Sequence, residues 1–238
     1  MGLQKEKGLW GSVFIMTRPD QQTIQERKDF LQTIAECAET PSMFSEIFLD
    51  HVVFDYNKRY VDCKDRFIVY RSGRQVGKTM STAVKAIHFA FFAPLMLKTV
   101  KHECTIVIAA PTQNQAGIMF DRIRSLIVNN KFLKGYVVRN TQTEMWVNFL
   151  DNTGMSKIIT RATGEHGTTL RGYSPHCIIA DECSFIKTDI LRAFLPSGMA
   201  TNARVWLTST PFSKSGYFFE ACQNSKLKNQ TVYGQSFT

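Results

Sequence analysis

Arg66-Phe-Ile-Val-Tyr70, then Arg71, then Ser72-Gly73-Arg74-Gln75-Val76-Gly77-Lys78-Thr79 make one continuous stretch: an apolar run, a glycine-bearing turn and the start of a helix-like segment. A bound triphosphate needs that order, because several donors must converge on one point. Gly77 lets the backbone approach the phosphates, and the helix opening near Lys78 aims its free N–H groups at them. In this arrangement Lys78 reaches the β and γ oxygens and the Thr79 hydroxyl holds Mg²⁺. The turn, with Met80 just beyond it, is thus the candidate site for ATP and Mg²⁺. One departure is visible. Counting back from Gly77, the place where the usual pattern has glycine holds Ser72, and Gly73 comes one residue late.

The departure makes a second motif necessary, and one lies downstream. His176-Cys-Ile-Ile-Ala180 reads as a short buried strand that ends in Asp181-Glu182. A nucleotide hydrolase needs a carboxylate to organise the metal, expected on the strand next to the loop strand, and a second group to hold the attacking water. Adjacent acids at a strand's carboxyl end serve both needs, since successive side chains leave in different directions. Asp181 is assigned to the metal and Glu182 to the water. An Asp-Glu pair alone also describes an ordinary solvated turn; its place after an apolar strand, well downstream of Gly-Lys-Thr, favours the functional reading.

Composition bounds the rest. A chain of 238 residues, 44% of them apolar, has material for one large α/β domain, or for one domain with a small appendage. The net charge of +9 favours polyanionic partners, although simple solubility explains many basic proteins. The six cysteines include no C-x-x-C pair and no neighbouring histidine cluster, which argues against zinc and against a disulfide framework, and for a reducing compartment. Met1 to Lys7 lacks a signal-peptide core. The most apolar stretch, Ala86 to Leu97, is broken by His88 and Pro94 and is too short to span a bilayer.

Along the chain, residues 1–64 read as a helical segment, 65–212 as the nucleotide-binding core and 213–238 as a lid or linker. Gln21 to Ala38 has helical spacing at Ile24, Phe30, Leu31, Ile34 and Ala35. Ser42 is expected to cap the next helix. Phe44, Phe48, Phe54 and Tyr56, just upstream of the loop, are candidates to pack on an adenine ring, or else ordinary core. From Arg66 onward strands and helices alternate: 66–70, helix 78–93, strand 104–110, and a helix from Gln115 to Val128 with Ile118, Ile123, Leu126 and Ile127 facing inward. Thr143–Leu150 and Met155–Ala162 bracket Asp151-Asn-Thr-Gly154 as a hairpin, and Arg204–Thr208 is a further strand before Ser209-Thr210-Pro211. Such alternation implies a mainly parallel sheet flanked by helices, with ligand loops at its carboxyl edge.

Taken in order, Ser72–Thr79, Ala110-Pro-Thr-Gln-Asn-Gln-Ala116, Leu170-Arg-Gly172, Ile178–Phe185 and Leu207-Thr-Ser-Thr-Pro-Phe212 resemble the ATPase domain of the large terminase subunit, the motor that packages DNA into the capsids of tailed bacteriophages and related viruses. The resemblance runs from about Arg66 to Phe219. It implies an α/β fold of the RecA-like P-loop class and makes Ser72 an expected feature, since those motors tolerate a non-glycine first position and carry an arginine inside the loop. By the same likeness Arg74 senses or stabilises the γ-phosphate; in an empty site it could instead pair with Asp181 or Glu182. Thr208, Ser209 and Thr210 correspond to the motif that couples γ-phosphate loss to subdomain rotation, or form a plain strand-end turn. Arg171 corresponds to an arginine proposed to enter a neighbouring subunit's site; a DNA-phosphate contact and a structural salt bridge are the other readings.

The family resemblance also implies partners: double-stranded DNA, a portal protein, a small terminase subunit and further copies in a homo-oligomeric ring, a pentamer on the capsid. It implies a place in the host cell cytoplasm and at the procapsid. Lys131, Lys134, Arg139 and Lys214 are candidate contacts to DNA phosphates. The full family protein carries a nuclease domain; with about thirty residues after the coupling motif, and roughly fifty needed for a domain, none is expected here. Two alternatives stand beside the motor: a nucleotide-binding switch that docks on the portal with little turnover, and a helicase-type fragment.

Overall fold

The computed structural model describes residues 21–164, 170, 172–227 and 232–234. Three helices lead, α1 (Gln21–Glu39), α2 (Pro41–Leu49) and α3 (Asp55–Val61). Then come β1 (Phe67–Arg71), α4 (Lys78–Met96), β2 (Glu103–Ala110), α5 (Gln113–Val128), β3 (Val137–Asn140), β4 (Glu144–Asn148) and β5 (Met155–Ala162). The chain closes with β6 (Cys177–Ala180), α6 (Thr188–Phe194), β7 (Arg204–Ser209), α7 (Tyr217–Leu227) and β8 (Val232–Gly234). The described strands form one sheet in the order β3-β4-β5-β2-β6-β7-β1-β8. Pairing is parallel from β5 through β8 and antiparallel only along β3-β4-β5.

Period-two alternation in the central strands divides the core between the two sheet faces. Ile68 and Tyr70, Ile106 and Ile108, Cys177 and Ile179, and Trp206 point into one cluster, shared with α4 and α5. Val69, Val107 and Ala109, Ile178 and Ala180, and Val205 and Leu207 point into the other, under α6 and α7. Strands covered on both faces read as unbroken apolar runs, which is why β2 and β6 are legible in the sequence. Helix α4 is buried on every side from Ser81 to Ala93, wedged between the sheet and α2, α3 and α5; its polar side chains Thr82, Lys85 and His88 bond to backbone carbonyls. It continues past the expected end at Ala93, since Pro94 falls in its last turn, where it removes only one helical bond.

The hairpin around Asp151–Gly154 forms as expected, with Glu144 opposite Ile159 and Asn148 opposite Met155. Glycine is needed at 154: a Cβ there would overlap the His102 carbonyl. Three details depart from or add to the sequence reading. The N-cap of α2 is Thr40, with Pro41 in the first turn, while Ser42 N–H and Oγ–H both donate to the Asp62 carboxylate at 2.7 Å. Leu31, one of the apolar residues at helical spacing on α1, is 65% exposed. The segment after Pro211 is tied into the fold: Phe218, Ala221 and Cys222 of α7 are buried, and β8 pairs with β1. All six cysteines are buried, and none is in a disulfide. Among the described residues no helix is long and apolar enough to cross a membrane.

Candidate active site

The turn between β1 and α4 owes its shape to two left-handed residues, Gln75 at φ 60 and Gly77 at φ 77. Glycine takes that conformation without penalty, whereas glutamine there carries strain of about 1 kcal/mol or more. The turn ends on the first residue of α4, so the helix's unbonded N–H groups and the positive end of its dipole face the space above the loop. Lys78 is buried, and its Nζ lies 3.3 Å from Glu182 Oε1. The ion pair expected of Arg74 in an empty site is thus made by Lys78. Arg74 is exposed on the rim, and no ion pair to it occurs among the described residues.

Asp181 and Glu182 sit immediately past β6, but β6 is not the neighbour of β1. The expectation of adjacent strands is corrected: β7 lies between them. Local periodicity carries no information on strand order, and the inserted strand changes the chemistry. It brings the Thr208-Ser209-Thr210 end of β7 between the phosphate loop and the acids. Thr208 Oγ1 donates to Asp181 Oδ1 at 2.6 Å, with both residues buried. Ser209 carries three links: its carbonyl accepts from Ser72 N–H at 3.3 Å, its Oγ accepts from Ser184 N–H at 3.1 Å, and its Oγ lies 3.5 Å from Glu182 Oε2. Thr210 carbonyl accepts from Ser184 Oγ at 3.0 Å.

Burial pushes the Asp181 carboxyl above its usual range, opposed first by the Thr208 hydrogen bond; the Glu182 charge adds to the rise and Lys78 works against it. A buried carboxylate in this state gains from a nearby cation. Glu182 is itself left-handed, at φ 48 and ψ 43. For a glutamate that is a strained conformation of the kind concentrated at functional sites, and it lifts the side chain off the strand toward Lys78.

A cleft of about 510 Å³ joins these groups. Its floor is the loop from Gly73 to Met80, with Glu182 and Thr210 along one side. Its far wall had no role in the sequence reading: Gln115, Ile118 and Arg122 of α5 line it at i, i+3 and i+7, one helix face. That spacing was present in the sequence, but Ile118 was expected inward; it is 60% exposed and faces the cleft. Thr112 caps α5 by accepting from Gln115 N–H, which fixes where this wall begins. Phe185 and Phe212 pack at 4.6 Å between ring centroids at the mouth. Of the four adenine candidates, Phe44 and Phe48 are core. Phe54 is 57% exposed, stacks on Tyr56 at 5.3 Å, and borders Gly77. Lys131, Lys134, Arg139 and Lys214 are all exposed. Arg171 lies outside the described residues.

A glycine-bearing loop after β1, paired acids after β6 and a strand inserted between them in a mainly parallel, helix-flanked sheet define a fold of the P-loop type. The family model for the terminase large subunit, ATPase domain, matches residues 48–219, and the chain belongs to that family. Among solved structures, the ATPase domain of the large terminase from Thermus phage P74-26 is similar at 22% identity and TM-score 0.62, covering 74% of this chain and 71% of that one. The HK97 bacteriophage large terminase is similar at 16% identity and TM-score 0.68, over 84% of this chain and 43% of that one. The large terminase of the thermophilic bacteriophage D6E in complex with ADP is similar at 12% identity and TM-score 0.56, over 78% and 46%. The chain thus spans less than half of the HK97 and D6E proteins. No curated protein sequence matches it.

Proposed function

We propose that this chain is the ATPase motor of a viral large terminase, using ATP hydrolysis to move double-stranded DNA into a preformed capsid. One observation carries the reading: Lys78 of the loop and Glu182 of the acid pair meet at 3.3 Å in one cleft, with Asp181 and Thr208 bonded beside them. The donor set suits a magnesium-bound triphosphate. It combines a helix N-terminus, a buried lysine, and a buried carboxylate whose raised pKa a cation would offset. Thr79 and Asp181 would hold the metal, which when bound neutralises charge on the β and γ oxygens.

Lys78 and Glu182 pair with one another across the cleft. A triphosphate entering the loop offers Lys78 a stronger partner and frees the Glu182 carboxylate. Glu182 then takes a proton from water as the water oxygen bonds to the γ-phosphorus. The bond from that phosphorus to the β–γ bridging oxygen breaks, and ADP leaves with the electron pair. Arg74, at the rim, is positioned to offset charge on the transferring group. Thr208 and Ser209 contact the two acids and the loop, and Thr210 bonds Ser184, so loss of the γ-phosphate would be felt first along β7. Arg171 is proposed to complete a neighbour's site in a ring, with the portal and the small terminase subunit as further partners.

The test is phosphate release by the wild type and Glu182→Gln, with and without DNA. Turnover in the wild type, abolished by the substitution, supports the motor; rates at background for both would favour a switch module that binds nucleotide without hydrolysing it.

A further inference from the structure

A phosphate loop works only if its N–H groups point inward, which forces its carbonyls outward into protein, where each needs a donor. Asn57 of α3 supplies one. It is fully buried, and its Nδ2 donates to the Val76 carbonyl at 2.9 Å. Its Oδ1 accepts from the Tyr70 hydroxyl at 2.5 Å. The amide orientation is chemically fixed, because the reverse would set Oδ1 against the Val76 oxygen. Tyr70 is held in turn by stacking on Tyr60, with centroids 4.0 Å apart. The Tyr60 hydroxyl bonds Thr82 Oγ1 at 3.0 Å, and Thr82 Oγ1 donates to the Lys78 carbonyl at 2.9 Å. One short helix therefore holds the loop's backbone on both sides of Gly77, the residue where the chain turns left-handed.

We propose that Asn57 is a positioning residue for nucleotide binding: with Tyr70 as its lock, it keeps the 76–77 peptide in the orientation that presents the loop's N–H groups to phosphate. It is fully buried and does not line the cleft. This rests on the reading that the cleft binds a nucleotide. Its effect is on the fraction of molecules whose loop is competent to bind. Apparent affinity scales with that fraction, while the rate at saturation does not.

The experiment uses the full chain and Mg²⁺, with ADP binding read by calorimetry, and KM and kcat for ATP by phosphate release. Asn57→Asp keeps the size but turns an acceptor toward the Val76 carbonyl; it should weaken ADP and raise KM by about tenfold or more, with kcat changed by no more than about twofold. Tyr70→Phe keeps the stack on Tyr60 and removes the hydroxyl that holds Asn57 Oδ1, so a smaller rise of KM, again at constant kcat, is expected. This second variant decides the matter if the first fails to fold. Unchanged ADP affinity in the folded variants, or a fall in kcat at unchanged KM, would overturn the proposal. A wild type that binds no ADP would instead remove the nucleotide reading beneath it.

Discussion

Thr208→Val tests the buried junction between β7 and the acid pair. The substitution keeps the branched shape and deletes only the hydroxyl that donates to Asp181 at 2.6 Å. The partner is a buried carboxylate, and hydrogen bonds to charged groups contribute about 1.5–3 kcal/mol. Removing this one raises the Asp181 pKa further, because the hydrogen bond that favours the ionised form is lost. The sign follows from linkage. Asp181 already titrates above its unfolded value of 3.8, so the folded state binds its proton more tightly than the unfolded state does. Its ionisation therefore costs stability as pH rises through the folded pKa, and more so without Thr208. The variant should match the wild type most closely near pH 4 and fall behind as pH climbs through the carboxyl's raised range. The gap should reach about 2 kcal/mol at pH 8. For a domain of this size that is about 4–8 °C in Tm. Thermal unfolding of both proteins at several pH values without nucleotide reads this directly. A gap that is constant across pH, or that widens toward acid, would refute the assignment of the hydroxyl to the ionised carboxylate.

Other outcomes follow from the same geometry. Glu182→Gln should retain ADP affinity within a few-fold while turnover falls by about a hundredfold or more, the usual contribution of a positioned base. Gly77→Ala forces alanine into φ 77 with its Cβ 3.3 Å from Asn57 Nδ2; it should lower stability by about 1–2 kcal/mol in chemical denaturation and weaken nucleotide binding. Gly154→Ala meets the His102 backbone, where no side chain can yield, and should cost about 1–3 kcal/mol without altering ADP affinity measured in the folded protein. DNA affinity should fall steeply with salt and vary little with sequence; a binding curve insensitive to salt would count against phosphate contacts.

Much of this architecture was legible because its central strands are covered on both faces. Runs such as Thr105–Ala110 and Cys177–Ala180 admit few other readings; the acid pair falls at the carboxyl end of Cys177–Ala180, and the Ser72–Thr79 loop at that of β1. What escaped was information that no local window holds. β7 rather than β6 lies on the acid side of β1, so the contact between Thr208 and Asp181 could not be read from spacing. β8 has three residues, too few for a pattern, yet completes the sheet edge. Ile118 looked like core because it is apolar at helical spacing, but α5 presents a second face to the cleft. Asn57 carried no signal at all, since a single asparagine in a polar stretch acquires meaning only when Val76 and Tyr70 close around it.

The most direct measurement of the central claim is a crystal structure of the chain with ADP, Mg²⁺ and a planar mimic of the transferring phosphate. The account predicts the mimic in the cleft above Gly77, Thr79 and Asp181 around the metal, and Lys78 drawn from its 3.3 Å contact with Glu182 onto phosphate oxygens. A nucleotide bound elsewhere, with the Lys78–Glu182 pair intact, would contradict it.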